Sequence, residues 1–239
     1  MTSPGLITIP GFASEREGVR HFFGTRHQPT DPTSGDDQFR VVSVTQVHGT
    51  DVLVLDRPVA LDEPISGEWD ALLTNQPGLF LAVRTADCVP LLLYDRQRRV
   101  VGALHAGWRG AVAGIVPKAV AVMREAFGCD PETVHVAIGP SAGACCYEVD
   151  EAVLTPLRTG FPEWRAVARE RGPANALLDL RELVRRQAMG AGVREEAIRT
   201  VGVCTICHDD LFYSYRREGR VNGTMVSGIG RLGRSQRKR

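Results

Sequence analysis

His48 in "TQVHGTDV", Cys88 in "TADCVPLLLYD" and His105 in "VVGALHAGWRG" share one setting. Each stands at the edge of an apolar, strand-like run beside small or polar residues, where a strand can fix the backbone while the side chain faces a cleft. Two imidazoles and one thiolate suit zinc, and three protein ligands leave its fourth tetrahedral position to water or substrate. Separations of 40 and then 17 residues make no local chelating motif, so the three can meet only through the tertiary fold. Taken singly, each also has a plain structural role open to it, as a hydrogen-bonded half-buried histidine or a small core cysteine.

The residues around these three widen the possibilities. Gly107 and Gly110 allow a tight turn and close backbone approach, and a helix expected to begin near Gly110 would present free N–H groups to an anion. Arg109 would add a planar two-pronged donor for phosphate or carboxylate. The alternative has Trp108 packing, Arg109 solvated and the glycines only turning the chain. Asp87, next to Cys88, could support the ligands from behind or supply an acid, and could equally close a turn with a hydrogen bond.

Two later motifs carry further candidates. "AIGPSAGACCYEV" is a second glycine-rich turn after a strand, and its neighbours Cys145 and Cys146 are too strained a pair for an ordinary disulfide with each other. "CTICHDD" holds one CxxC, Cys204 and Cys207, followed by His208; a zinc ribbon would want a second such pair. Any of these four cysteines could supply the fourth protein ligand that a closed, structural zinc site needs. "FYSYRREG" brings Tyr213, Tyr215, Arg216 and Arg217 together, either to stack and pair with a substrate or as an aromatic edge strand with a solvated basic face.

The elements that must position these residues read as a mixed α/β pattern. Strands are expected at "VVSVTQV", "DVLVLD", "LFLAV", "VPLLLYD", "VVGALH", "TVHVAIG", "IRTVGVC" and "TMVSGIG", short runs bounded by Gly, Pro or Asp. Helices are expected in "GAVAGIVPKAVAVMREAFG", with Pro117 as a kink or restart, and in "ALLDLRELVRRQAMGAG", with Asp179 as cap and Gly190 or Gly192 as stop. The early strands come without helices between them, which points to mixed sheets layered with helices instead of a doubly wound parallel sheet. An N-terminal hairpin should precede a loop at residues 26–38, where Pro, Gly, Asp and Thr cluster.

The 239 residues are enough for one domain, expected over 1–239, with a core that needs no disulfides. A net charge of +1 gives no general attraction to nucleic acid or anionic lipid, and the tail "RLGRSQRKR" reads as a solvated basic terminus. Neither a leader nor a spanning apolar run is seen, so the expected compartment is the cytoplasm and the six cysteines are expected as thiols or ligands. Monomer and homodimer both remain open.

"TQVHG", "TADCVPLLLYD", "HAGWRG", "IGPSAGACCYEV" and "CTICHDDLFYSYRREG", in this order, resemble the laccase-domain family, also called YfiH-like or polyphenol oxidase, over roughly residues 20–230. The resemblance implies an α/β fold of layered mixed sheets, a metal site at His48, Cys88 and His105 holding zinc or copper, and purine nucleoside chemistry. The implied reactions are phosphorolysis of adenosine, inosine and methylthioadenosine, and deamination of adenosine. For deamination, the open zinc position suits activation of water against C6 of the purine. For phosphorolysis, Arg109 is the candidate for phosphate, with Asp87 and Arg216 as further substrate-binding candidates; no residue stands out as the acid for the departing base. Two departures from the family pattern are Ser141, where a cysteine is common, and "HQPTDPTSG" in place of a glycine-rich "GGVS".

Three rival readings accompany this one. Copper oxidation of phenols fits two His and one Cys, but only His21, His27, His135 and His208 are left to build a further copper cluster. A metal-free hydrolase or deamidase would use Cys88 as nucleophile and His105 as base. An interaction module would use the cysteines to bind zinc structurally.

Overall fold

The runs "VPLLLYD" and "VVGALHA" are apolar at almost every position, which an antiparallel strand with one face in water would not be. The computed structural model explains why: both strands are buried at all seven of their positions. It describes residues 5–28, 39–59 and 65–233; most of the loop expected at 26–38, and residues 234–239 of the basic tail, lie outside these.

In chain order the strands are β1 (Leu6–Ile7), β2 (Val19–Gly24), β3 (Arg40–Val42), β4 (Val52–Leu55), β5 (Ala71–Thr74), β6 (Leu79–Thr85) and β7 (Val89–Asp95). They continue with β8 (Val100–Ala106), β9 (Val134–Ile138), β10 (Glu148–Val149), β11 (Ala168–Glu170), β12 (Ala176–Leu178), β13 (Ile198–Thr200) and β14 (Met225–Arg231). The helices are α1 (Trp108–Val112), α2 (Ile115–Phe127), α3 (Glu151–Gly160), α4 (Leu180–Gly190) and α5 (Tyr215–Glu218).

A six-stranded sheet runs β13-β9-β7-β8-β5-β4 and a five-stranded sheet runs β1-β2-β14-β6-β3. Both are mixed: β4 is parallel to β5, β13 to β9 and β3 to β6, while the central pairs are antiparallel. A three-stranded sheet, β10-β12-β11, stands apart. Alternation along β7 and β8 divides the core. Leu91, Leu93, Val100 and Leu104 pack with Ile115, Ala119, Met123, Leu183 and Val184 of the helices. Leu92, Tyr94, Val101 and Ala103 pack with Phe23, Leu81, Val83 and Ile229 of the five-stranded sheet. The six-stranded sheet is therefore the middle of three layers, covered by helices on one face and by a second sheet on the other.

Local signals act where the sequence puts them. Pro117 is the third residue of α2, in the first turn, where its missing N–H costs no helical bond; Gly114, with φ of 87°, separates α1 from α2. The Asp179 side chain accepts from Glu182 N at 3.0 Å and caps α4. Two expectations are corrected. The helix after His105 starts at Trp108 and runs only to Val112, so it has little dipole to offer an anion. "FYSYRREG" is no edge strand: Ser214 accepts from Arg217 N at 3.1 Å and caps the one-turn helix α5.

Candidate metal centre

His105 is the sixth residue of β8 and, by alternation, shares its face with Val101 and Ala103, the side of the five-stranded sheet. Cys88 immediately precedes β7, and Pro90 pairs with His105 across the ladder, so neighbouring strands set the two side chains side by side. His48 comes from the segment between β3 and β4. One ligand atom from each of the three lies within 4.8 Å of the other two. The imidazole rings of His48 and His105 meet edge to face with centroids 4.8 Å apart.

The group that organises this meeting is Asp70, which the sequence did not single out. It is 1% exposed and directly precedes β5. Its carboxylate pairs with Nδ1 of His105 at 2.7 Å, and its backbone carbonyl accepts from His105 N, also at 2.7 Å. The same carboxylate accepts the backbone N–H groups of Val47 at 3.2 Å, His48 at 3.0 Å and Gly49 at 2.6 Å. His48 needs that support, because its φ of 62° is left-handed, a conformation a non-glycine residue holds only when its surroundings impose it. One buried carboxylate thus fixes the backbone of one histidine and the tautomer of the other, turning Nε2 of His105 away from Asp70.

The electrostatics follow from burial and proximity. Burial alone would raise the Cys88 thiol, but hydrogen bonds and charge from His105 and His48 outweigh it and bring it down to about 7. Burial likewise opposes the His105 imidazolium, yet hydrogen bonds with Asp70 and Cys88 push it up to about 9. For Asp70 the burial penalty is overcome by His105 and by the Gly49 N–H, holding the carboxyl below its usual range. Two glycines leave room for the arrangement. A Cβ on Gly107 would stand 2.6 Å from His48 Cδ2 and 3.2 Å from Cys88 Sγ; one on Gly110 would stand 2.5 Å from the Gly49 carbonyl.

The three side chains line a cavity of about 550 Å³, together with Trp108, Arg109, Tyr147, Tyr215 and Arg216. Arg109 is exposed, lies over the Trp108 ring at 4.4 Å and forms no ion pair among the described residues. Arg216 lies over the Tyr147 ring at 4.9 Å and donates from Nη1 to the Glu148 carbonyl. Burial pushes the Tyr147 hydroxyl up to about 12, so it stays protonated beside the cavity. Asp87 also lines the cavity, in a left-handed conformation with φ of 92°. Its carboxylate is occupied: it accepts from Thr205 Oγ1 at 2.6 Å, Ser214 Oγ at 2.9 Å and Arg216 N at 2.7 Å. Ser141 is buried and its hydroxyl has no hydrogen-bond partner among the described residues.

The donor set passes a chemical test for a metal. Two imidazoles and a thiolate at this spacing match zinc's preferred ligands, and the carboxylate behind His105 is the orienting partner that metal-bound histidines usually have. Solved structures and curated relatives resemble the chain over most of its length. The crystal structure of YlmD from Geobacillus stearothermophilus superposes with a TM-score of 0.84 at 30% identity, covering 98% of each chain. In sequence, Purine nucleoside phosphorylase YlmD of that organism is 37% identical over 199 residues, 80% of this chain and 72% of the relative. A Purine nucleoside phosphorylase of Bacteroides thetaiotaomicron is 40% identical over 161 residues, 67% of this chain and 60% of that protein. The residues that build the site fall within the stretch 31–232 that matches the family described as multi-copper polyphenol oxidoreductase laccase, and to that family this chain belongs.

Proposed function

We propose that the chain, acting as one domain over residues 1–239, is a metal-dependent purine nucleoside enzyme. Its reactions are phosphorolysis of adenosine, inosine and methylthioadenosine, and deamination of adenosine to inosine. The observation that carries the reading is the convergence of His48, Cys88 and His105 at a cavity also lined by three arginines, Arg84, Arg109 and Arg216, in a chain whose relatives are named purine nucleoside phosphorylases. His48, Cys88 and His105 are the metal ligands and catalytic residues, with zinc as the metal and copper as its competitor. Held by these three residues, zinc would supply Lewis acidity at the cavity.

The chain's own residues do the remaining work. Asp70 keeps Nδ1 of His105 protonated and Nε2 free for the metal. The Arg109 guanidinium, held over Trp108, is available to pair with phosphate. Arg216 contributes a second fork beside Tyr147, and the aromatic faces of Trp108, Tyr147 and Tyr215 suit a stacked purine. Asp87 acts on substrate through Arg216, whose backbone it holds, because its own oxygens are engaged.

Changing His105 to alanine tests the shared site. Turnover of adenosine to ribose 1-phosphate and to inosine should fall together to background in His105→Ala; retention of both reactions would refute it.

A second reading has specific support: Cys88, His105 and Asp70 form a thiol, imidazole and carboxylate chain of the kind that serves metal-free hydrolases. The second imidazole, His48, favours the metal, because a nucleophilic thiol needs only one base. Copper oxidation of phenols gains support from the family's description but lacks ligands for an oxygen-reducing cluster. Among the described residues, His21 Nε2 accepts from Ile9 N at 3.0 Å, and the other metal-competent group contains only cysteines.

A further inference from the structure

Away from the cavity's three donors, Cys145, Cys146, Cys204 and Cys207 bring their sulfurs together, all within 4.8 Å of one another. Cys207 Sγ lies 3.1 Å from Cys146 Sγ and 3.5 Å from Cys145 Sγ. A tetrahedral tetrathiolate zinc, with Zn–S near 2.3 Å, sets its sulfurs about 3.8 Å apart, whereas a disulfide draws two sulfurs to about 2.05 Å. We propose that these four cysteines form a closed structural zinc site, separate from the centre at His48, Cys88 and His105 and independent of the function assigned to it.

The backbone is built to present the four sulfurs. Cys145 and Cys146 lie in the turn after β9, and Cys204 to Cys207 form the turn after β13, the parallel neighbour of β9. Ser141 and Cys204 pair as an isolated bridge, with Thr205 N donating to the Ser141 carbonyl at 3.0 Å, which locks the two turns face to face. Gly143 N donates to Cys204 Sγ at 3.2 Å, the kind of bond that stabilises a coordinated thiolate. A Cβ on Gly143 would sit 3.1 Å from Cys204 Cβ and 3.3 Å from Cys145 Sγ, so a glycine is what lets the turns approach.

Charge and exposure agree. Four zinc–sulfur bonds form as the four thiols lose their protons to solvent, with no change of oxidation state, and the site then carries a net charge of about −2. Two guanidinium groups stand beside it. Arg181 donates to the Val203 carbonyl at 3.0 Å and forms no ion pair among the described residues; Arg217 donates to the carbonyls of Thr205 at 2.8 Å and Ile206 at 3.1 Å. Cys145 and Cys207 are exposed, and solvent-facing thiols gathered without a ligand would be an oxidation hazard. The sulfurs stand too close for a cubane iron–sulfur cluster, in which each cysteine binds a different iron.

Such a site would staple the loop that carries Thr205 to the loop that carries Tyr147. Thr205 in turn holds Asp87, the neighbour of Cys88.

The test is zinc analysis of the full chain, purified with reductant and without chelator from zinc-supplied cells. Parent protein should carry about two zinc ions per chain, and Cys204→Ser and Cys207→Ser each about one. Zinc content equal to the parent in both variants would overturn the proposal. Because Cys204 is buried and its variant could misfold, a second measurement uses His105→Ala, which leaves all four cysteines intact. X-ray absorption at its zinc edge should show four sulfur neighbours near 2.3 Å. Absence of zinc there, a mixed nitrogen and sulfur shell, or a Cys146–Cys207 disulfide recovered after alkylation would each refute it.

Discussion

His48, Cys88 and His105 reach one point from three separate stretches of chain, each at or near the end of a strand of the central sheet, whereas Cys145, Cys146, Cys204 and Cys207 come as two local pairs on facing turns. The first cluster has three donors at a cavity, with exposure rising from His105 at 3% to the exposed His48. The second has four donors of one kind, two of them at the surface. Zinc coordinated by three protein ligands keeps a position for chemistry; with four it has none left and can only hold the fold. What separates a reactive centre from a structural one is thus the number of donors the fold supplies, and what stands behind them. Behind the first cluster is a buried carboxylate; behind the second are backbone N–H groups and peptide carbonyls tied to arginines.

The sharpest way to break this contrast is through the paired glycines. Gly107→Ala drives a methyl group against His48 and Cys88, and should remove the metal of the first centre and nearly all turnover while leaving the melting temperature within a few degrees. Gly143→Ala should do the converse, with a lower melting temperature, about one zinc ion less and adenosine turnover largely kept at 25 °C. Identical effects of the two substitutions on turnover would erase the distinction.

Asp70→Asn comes next. An amide cannot accept four hydrogen bonds as a carboxylate does, so donors lose partners, at roughly 1–3 kcal/mol where the orphaned donor is buried, as Nδ1 of His105 is. Zinc affinity at the first centre should fall by about 10- to 100-fold in a competition titration with a chromogenic chelator. Unchanged affinity would mean that strand packing alone orients His105. The smallest effect is expected for Arg109→Ala, whose side chain is exposed. Phosphate-dependent cleavage should drop by about tenfold or more with deamination much less affected, since one charge-assisted contact to phosphate is worth roughly 1.5–3 kcal/mol. Equal losses would place Arg109 in service of the fold.

Much of the scaffold is readable in the chain because β7 and β8 are covered on both faces and therefore apolar throughout, and because Asp179, Pro117 and Gly114 punctuate helices by local chemistry. The three-stranded sheet is not readable: its strands have two or three residues, too few for an alternation to register. In the site, the three donors could be named from their positions at strand edges and from the family motifs. Asp70 could not, since "EWDALLT" holds two acidic residues, Glu68 and Asp70, before a short strand with nothing local to tell them apart, and the importance of Asp70 arises only when residues 47–49 and 105 fold onto it. Asp87 was visible as a neighbour of Cys88, but its partners at Thr205, Ser214 and Arg216 lie more than a hundred residues away, so its positioning role had no local sign.

The central claim is that a metal at His48, Cys88 and His105 carries both nucleoside reactions. It is tested most directly by assaying adenosine, with and without phosphate, on protein stripped by a chelator and then reloaded with zinc. Stripped protein should make neither ribose 1-phosphate nor inosine, and zinc should restore inosine in both assays and ribose 1-phosphate only where phosphate is present. Metal-free protein that still turns over adenosine, and loses that activity to thiol alkylation, would contradict the account.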